Sequence, residues 1–260
     1  MNFGYKKDEQ SNKDYLFSNA RSGFIKIAIA NNNSHIISEY TPISNQGGTS
    51  TCVANATADA LEILLGLTGK VEQISRLFIY WNSRMYTKDT DKDEGTYIRN
   101  AFDSLQTLGA CSESLWSFNP NKIFAQPNLF AYKQANDNKI NSFYRINGSG
   151  NTRLDYIEMA VRSNHPVVFG TAVNQNFVSF YNGDGVWNPP TSNIVGNHAM
   201  IVTGIRQGVN GREFLVRNSW GENWGSAIAS EKGHCWMSED YLASPLTEDI
   251  WVPTLMESLI

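Results

Sequence analysis

The chain is poor in cysteine: Cys52, Cys111 and Cys235 are the three in 260 residues. They cannot make a disulfide framework, and any pairing would leave one of them free. It also lacks a long apolar run. The first, Phe24 to Ala30, is short, interrupted by Lys26 and far from the start. It reads as a strand or short helix, not as a signal segment, and no run approaches the ~18 residues of a spanning helix. These absences predict no membrane partner and a cytoplasmic location, or export without a classical signal peptide. Neither sign of charge dominates, with 21 Lys and Arg against 25 Asp and Glu. A net charge of −4 gives no reason to expect nucleic acid as a partner. Histidine is scarce, and His35, His165, His198 and His234 show no CxxC or HxxxH setting, so no metal is expected. The Asp-rich stretch Lys88 to Gly95 does not match the spacing of a calcium-binding EF-hand loop and reads as a solvated loop. There is no repeat or low-complexity segment. What is present, 41% apolar and 12% aromatic residues, describes a globular protein of one large or two small domains.

The chain is organised around Asn45 to Ala56. A polar, glycine-containing loop runs into Cys52, and an apolar stripe at helical spacing follows: Ala56, Ala60, Leu61, Leu64 and Leu65. Thr51 is the expected N-cap and Gly66 the expected terminator. A cysteine in the first turn of a helix has free N–H groups and the positive end of the helix dipole beside it, which favour thiolate over thiol. Cys52 is therefore a candidate nucleophile. Two distant segments support it. Asn197-His198-Ala199 opens an apolar, strand-like run, and a second such run, Phe214-Leu215-Val216, leads into Asn218-Ser219-Trp220-Gly221 and then Trp224-Gly225.

On these residues the chain resembles the papain-like cysteine peptidases. Gln46 shortly before Cys52, His198-Ala199, Asn218-Ser219-Trp220-Gly221 and Trp224-Gly225 occur in the family's order. His198 falls in the window of about 130–150 residues after the cysteine, and Asn218 lies slightly beyond it. The resemblance covers about residues 40 to 245. It implies an α+β, two-lobed fold: a mainly helical lobe at 39–140 and a β-barrel-like antiparallel lobe at 141–260, with the active site between them. Helical spacing at Ile98, Ala101, Phe102 and Leu105, and short apolar runs separated by Gly, Asn and Pro after residue 140, agree with that division.

The resemblance also implies roles. Cys52 would attack a carbonyl carbon, and His198 would take its proton and return it to the leaving amine. Asn218 would hold the His198 ring, with Trp220 shielding that bond, and Gln46 with the Cys52 N–H would form the oxyanion hole. Gly95, Trp220 and Trp224 would border the substrate. The activity implied is a cysteine-type peptidase that acts on polypeptides as a monomer, without a cofactor. A catalytically silent peptide-binding module, or an acyltransferase using the same thioester, are the alternatives. The chain departs from the family's local signature: Thr49 stands where a half-cystine is usual, and Val53 where an aromatic residue follows the nucleophile. Residues 226–232 form an unexpectedly long connection that reads as a surface loop. Residues 1–38 precede the family-like part, 39–260. They read either as a short pro-segment or as a strand and tail packed on the body.

Overall fold

The computed structural model describes residues 2–25, 33–179, 185–225 and 232–255. Residues 26–32 and 226–231 lie outside that set, and with them most of the Phe24–Ala30 run and of the expected surface loop at 226–232. Phe24 and Ile25 end a helix, α1 (Phe17–Ile25), and a short strand, β1 (Ser34–Ile36), follows. Then come α2 (Cys52–Leu67), α3 (Arg76–Met85), α4 (Ile98–Thr107) and α5 (Leu129–Ala135). The second half alternates: β2 (Ser142–Arg145), α6 (Gly150–Arg162), β3 (Val167–Asn174), α7 (Gln175–Ser179), β4 (Ile194–Gly208), β5 (Gly211–Arg217), β6 (His234–Ser238), α8 (Glu239–Ala243) and β7 (Thr247–Thr254). The result is a helical N-terminal part and an antiparallel sheet ordered β2-β7-β3-β4-β5-β6, with β1 added to β4. None of the helices described is long and apolar enough to cross a membrane.

The central element is α2, buried from Cys52 to Gly66. Small residues at 54, 56, 58 and 60 let α3, α4 and β4 approach it closely. Its buried polar side chains find partners, the Asn55 Oδ1 excepted: Asn55 donates to the Thr51 carbonyl, Thr57 to that of Val53, and Glu62 accepts from the Ile74 N–H at 2.7 Å. Both ends differ from expectation. The Thr51 side chain makes no cap; it bonds to Thr49 Oγ1 at 2.8 Å instead. Gly66 lies inside the helix, where a side chain would strike the Tyr40 ring, and the chain turns out at Gly69 with φ +90°. A left-handed residue just beyond the last turn is the usual glycine stop.

The first strand shows that residues before 38 are not all peripheral. Ser34, His35 and Ile36 pair with Arg206, Ile205 and Gly204. Further upstream, residues 2–8 run between the helical part and the sheet. Thr96 N–H donates to the Gly4 carbonyl at 2.9 Å, Lys6 N–H to Thr96 at 3.0 Å, and Tyr5 N–H to Asn197 at 3.4 Å.

Candidate active site

Three elements deliver the functional side chains. Cys52 is the first residue of α2, His198 lies in β4, and Asn218 follows the end of β5. β4 and β5 are neighbours, with Ile201 opposite Arg217, so the sheet brings His198 and Asn218 together. Residues 44–46 pair with 219–221: Gln46 N–H donates to Ser219 at 2.9 Å and Gly221 N–H to Ser44 at 2.9 Å. That pairing carries Gln46 to the same place.

The orientation of Asn218 is fixed by its own backbone. Ser219 N–H donates to Asn218 Oδ1 at 2.8 Å, which identifies the oxygen, and the same oxygen faces His198 Nε2 at 2.7 Å. His198 Nε2 is therefore the protonated nitrogen and Nδ1 carries the lone pair. His198 Nδ1 is buried and without a hydrogen-bond partner. The Trp220 ring stacks on the imidazole at 4.5 Å and 26°, covering it and its bond to Asn218. Trp224 meets Trp220 edge-on at 5.3 Å and is itself buried, so it braces Trp220. Gln46 is oriented as well: its Oε1 accepts from Ser219 Oγ at 2.8 Å, and its Nε2 donates to the carbonyls of Thr49 and Asn2, at 2.9 and 3.2 Å. Thr49, in the place of a half-cystine, secures the loop with its hydroxyl, which donates to the Gln46 carbonyl at 2.7 Å.

The N-terminal segment covers this site. The Phe3 ring stands edge-on to His198 at 6.3 Å, and the Gly4 and Ala199 backbone N–H groups lie near enough to the Cys52 sulfur to favour its charge. Gly95, at φ +81°, lies so close to the Gly4 carbonyl that a Cβ would sit 1.9 Å from it. Burial decides the protonation. It pushes the Cys52 thiol up to about 11, against the backbone N–H groups that lower it, and His198 down to about 4, against the bond to Asn218. The expectation of a thiolate at the helix N-terminus is thus reversed in this state: with both groups out of water, desolvation outweighs the helix end and the pair is neutral.

Comparison with known proteins gives the family. The profile of the papain family cysteine proteases matches residues 30–244. The chain belongs to that family. An uncharacterised peptidase C1-like protein of Acanthamoeba polyphaga mimivirus is 32% identical over 217 residues, covering 80% of this chain and 68% of the viral one. Mouse Testin-2 is 25% identical over 77% of this chain, which spans 58% of its length. Among solved structures, xylellain, a cysteine protease from Xylella fastidiosa, superposes with a TM-score of 0.83 at 25% identity, covering 98% and 96% of the two chains. Bromelain protease from Ananas comosus, solved in complex with the E64 inhibitor, superposes at 0.67 and 24% identity, over 86% of this chain and 100% of that one, a likeness of fold.

Papain-family order alone did not reveal two supports of the site. Asp93, in the loop read as merely solvated, accepts from Ser50 N–H at 3.1 Å and from the Tyr80 hydroxyl at 2.7 Å, and so holds the loop before Cys52. Arg217, next to Asn218, reaches Asp59 of α2 at 3.2 Å and ties the asparagine's strand to the cysteine's helix. Asp59 and Glu62 inside an otherwise apolar helix were the available signal, because buried carboxylates require partners.

Proposed function

We propose that the chain hydrolyses peptide bonds through a thioester on Cys52, with His198 as base and acid, Asn218 orienting it and Gln46 serving the oxyanion. The observation that carries this reading is the state of His198: one nitrogen is held by Asn218, and the other is a buried lone pair with no partner. A buried acceptor left open is costly unless something uses it. The use is to take the Cys52 proton as the sulfur attacks the carbonyl carbon. The carbonyl oxygen, now negative, accepts from Gln46 Nε2 and the Cys52 N–H. His198 then protonates the departing amine, and water, deprotonated by the same nitrogen, releases the acid from sulfur.

In the same reading residues 2–8, within the 1–38 prefix, form an inhibitory segment. Asn2 offers its carbonyl to Gln46, Phe3 covers His198 and Gly4 lies near Cys52. Because β1 is part of the sheet, displacement or trimming of the first residues opens the site at less structural cost than excision of the whole prefix.

The test is intact mass after treatment with an epoxysuccinyl peptide, together with peptide turnover. The expected result is a single adduct on the wild type and none on Cys52→Ala, whose thermal midpoint stays unchanged while turnover falls about 10⁶-fold. An adduct or wild-type turnover in Cys52→Ala would overturn the assignment.

A further inference from the structure

We infer that the pocket filled by the Tyr5 side chain is the pocket that selects substrate, and that it takes a tyrosine side chain by its phenol hydroxyl. The inference rests on the peptidase reading above. Tyr5 is the residue next to Gly4, whose carbonyl accepts from Thr96 N–H at 2.9 Å, and Tyr5 pairs with Thr96 along the edge that borders the cleft. Its side chain is 7% exposed. One wall is Gly170 of β3: a Cβ there would stand 2.1 Å from the ring, so the absence of a side chain at 170 makes the room an aromatic ring needs. The floor is Asp249 of β7, which accepts from the Tyr5 hydroxyl at 2.6 Å.

The chemistry of the floor decides which side chain fits. Asp249 is 3% exposed, and its Oδ1 is bound by Arg145, so its charge is already neutralised. Its Oδ2 accepts from Tyr5 and from the Asp8 N–H at 2.6 Å, and both donors leave when the segment leaves. The emptied pocket thus presents one buried carboxylate oxygen in need of a neutral donor. Phenylalanine fills the space but strands that oxygen, and a buried acceptor without a donor lowers affinity. Arginine would set a second cation against Arg145. A phenol meets both conditions, and burial with the neighbouring carboxylate keeps it protonated as a donor.

The test uses the full chain with Phe3→Ala and Tyr5→Ala, which empties the pocket in place. The substrates are fluorogenic peptides differing only in the residue next but one before the scissile bond: Tyr, Phe, Leu, Arg or Ala. The expected kcat/KM is about tenfold or more higher for Tyr than for Phe, with Arg lower still. Adding Gly170→Ala should remove the preference for both aromatic residues while the Ala peptide is still cut. Equal rates for Tyr and Phe, or a preference for Arg, would overturn the pocket assignment and leave the peptidase reading standing. If no peptide is cut and Cys52 is not labelled, the peptidase reading fails separately. The pocket is then judged by binding: N-acetyl-tyrosinamide must bind more tightly than N-acetyl-phenylalaninamide by NMR titration, and equal binding overturns the inference.

Discussion

Two buried arginines, Arg217 and Arg145, do similar work in different parts of the molecule. Each meets two carboxylates and donates its remaining hydrogens to backbone carbonyls. Arg217 binds Asp59 and Glu39, and the carbonyls of Thr41 and Pro42 at 3.2 and 2.8 Å. All its partners lie between residues 39 and 59, and the cluster joins the Asn218 strand to α2. Arg145 binds Asp249 in the sheet, but also Asp14 at 3.2 Å and the carbonyls of Asp8 and Glu9. Three of these four partners lie in residues 8–14, upstream of the helical part. The same device therefore builds a permanent joint in one place and a detachable one in the other, because the segment's partners can return to water and those of Arg217 cannot.

The largest expected effect is at the permanent joint. Arg217→Ala strands Asp59, leaves Glu39 to His234 alone, and should cost about 3–5 kcal/mol in denaturant-induced unfolding, as removing one partner of a buried pair does. Arg145→Ala should cost less, about 1–3 kcal/mol, because Asp14 regains water. Its larger signature is kinetic: the epoxysuccinyl probe should label Cys52 faster than in the wild type. An unchanged labelling rate would break the comparison.

The two joints also differ in their response to acid. Glu39 is held down to about 2 by His234 and Arg217 despite its burial. A depressed carboxylate stabilises above its unfolded value and loses that contribution as the pH falls from about 4.5 towards 2. Thermal midpoints should fall across that window, and Glu39→Gln should flatten the fall. Asp8, which pairs with Arg99 at 3.2 Å, moves the other way, raised to about 6 by burial. Its proton is bound more tightly when the segment is docked, so the contribution of Asp8 to the closed form is full below about 3.8 and is lost as the pH rises from there through about 6. Wild-type labelling should accelerate between about pH 4 and 6 relative to Asp8→Asn. The smallest effect is Tyr5→Phe, which removes one hydrogen bond to Asp249 and should speed labelling several-fold, corresponding to about 1 kcal/mol.

Much of this was legible in the sequence where the signal is local. The start of α2 at Cys52, the helical spacing from Ile98 to Leu105 and five of the strands follow from periodicity and turn residues. β7 did not, because Ile250-Trp251-Val252 is short and ends at Pro253, and proline is rarely placed inside a strand. With β7 went Asp249, the floor of the Tyr5 pocket. Thr51 was misread as a cap because its preference for that position is real but weaker than the two hydroxyl and amide partners beside it.

By itself the sequence determined which residues could react and the order in which they occur. Helix propensity, strand alternation and the Cys52, His198, Asn218 and Gln46 set are properties of short segments. Only the tertiary structure decided what lies over that set and in what state it is held. Residues 2–8, Thr96, Gly170, Arg145 and Asp249 carry no mutual signal along the chain. Their meeting is what takes Cys52 and His198 out of water, and removal from water, more than the helix end beside the sulfur, sets the charge each bears.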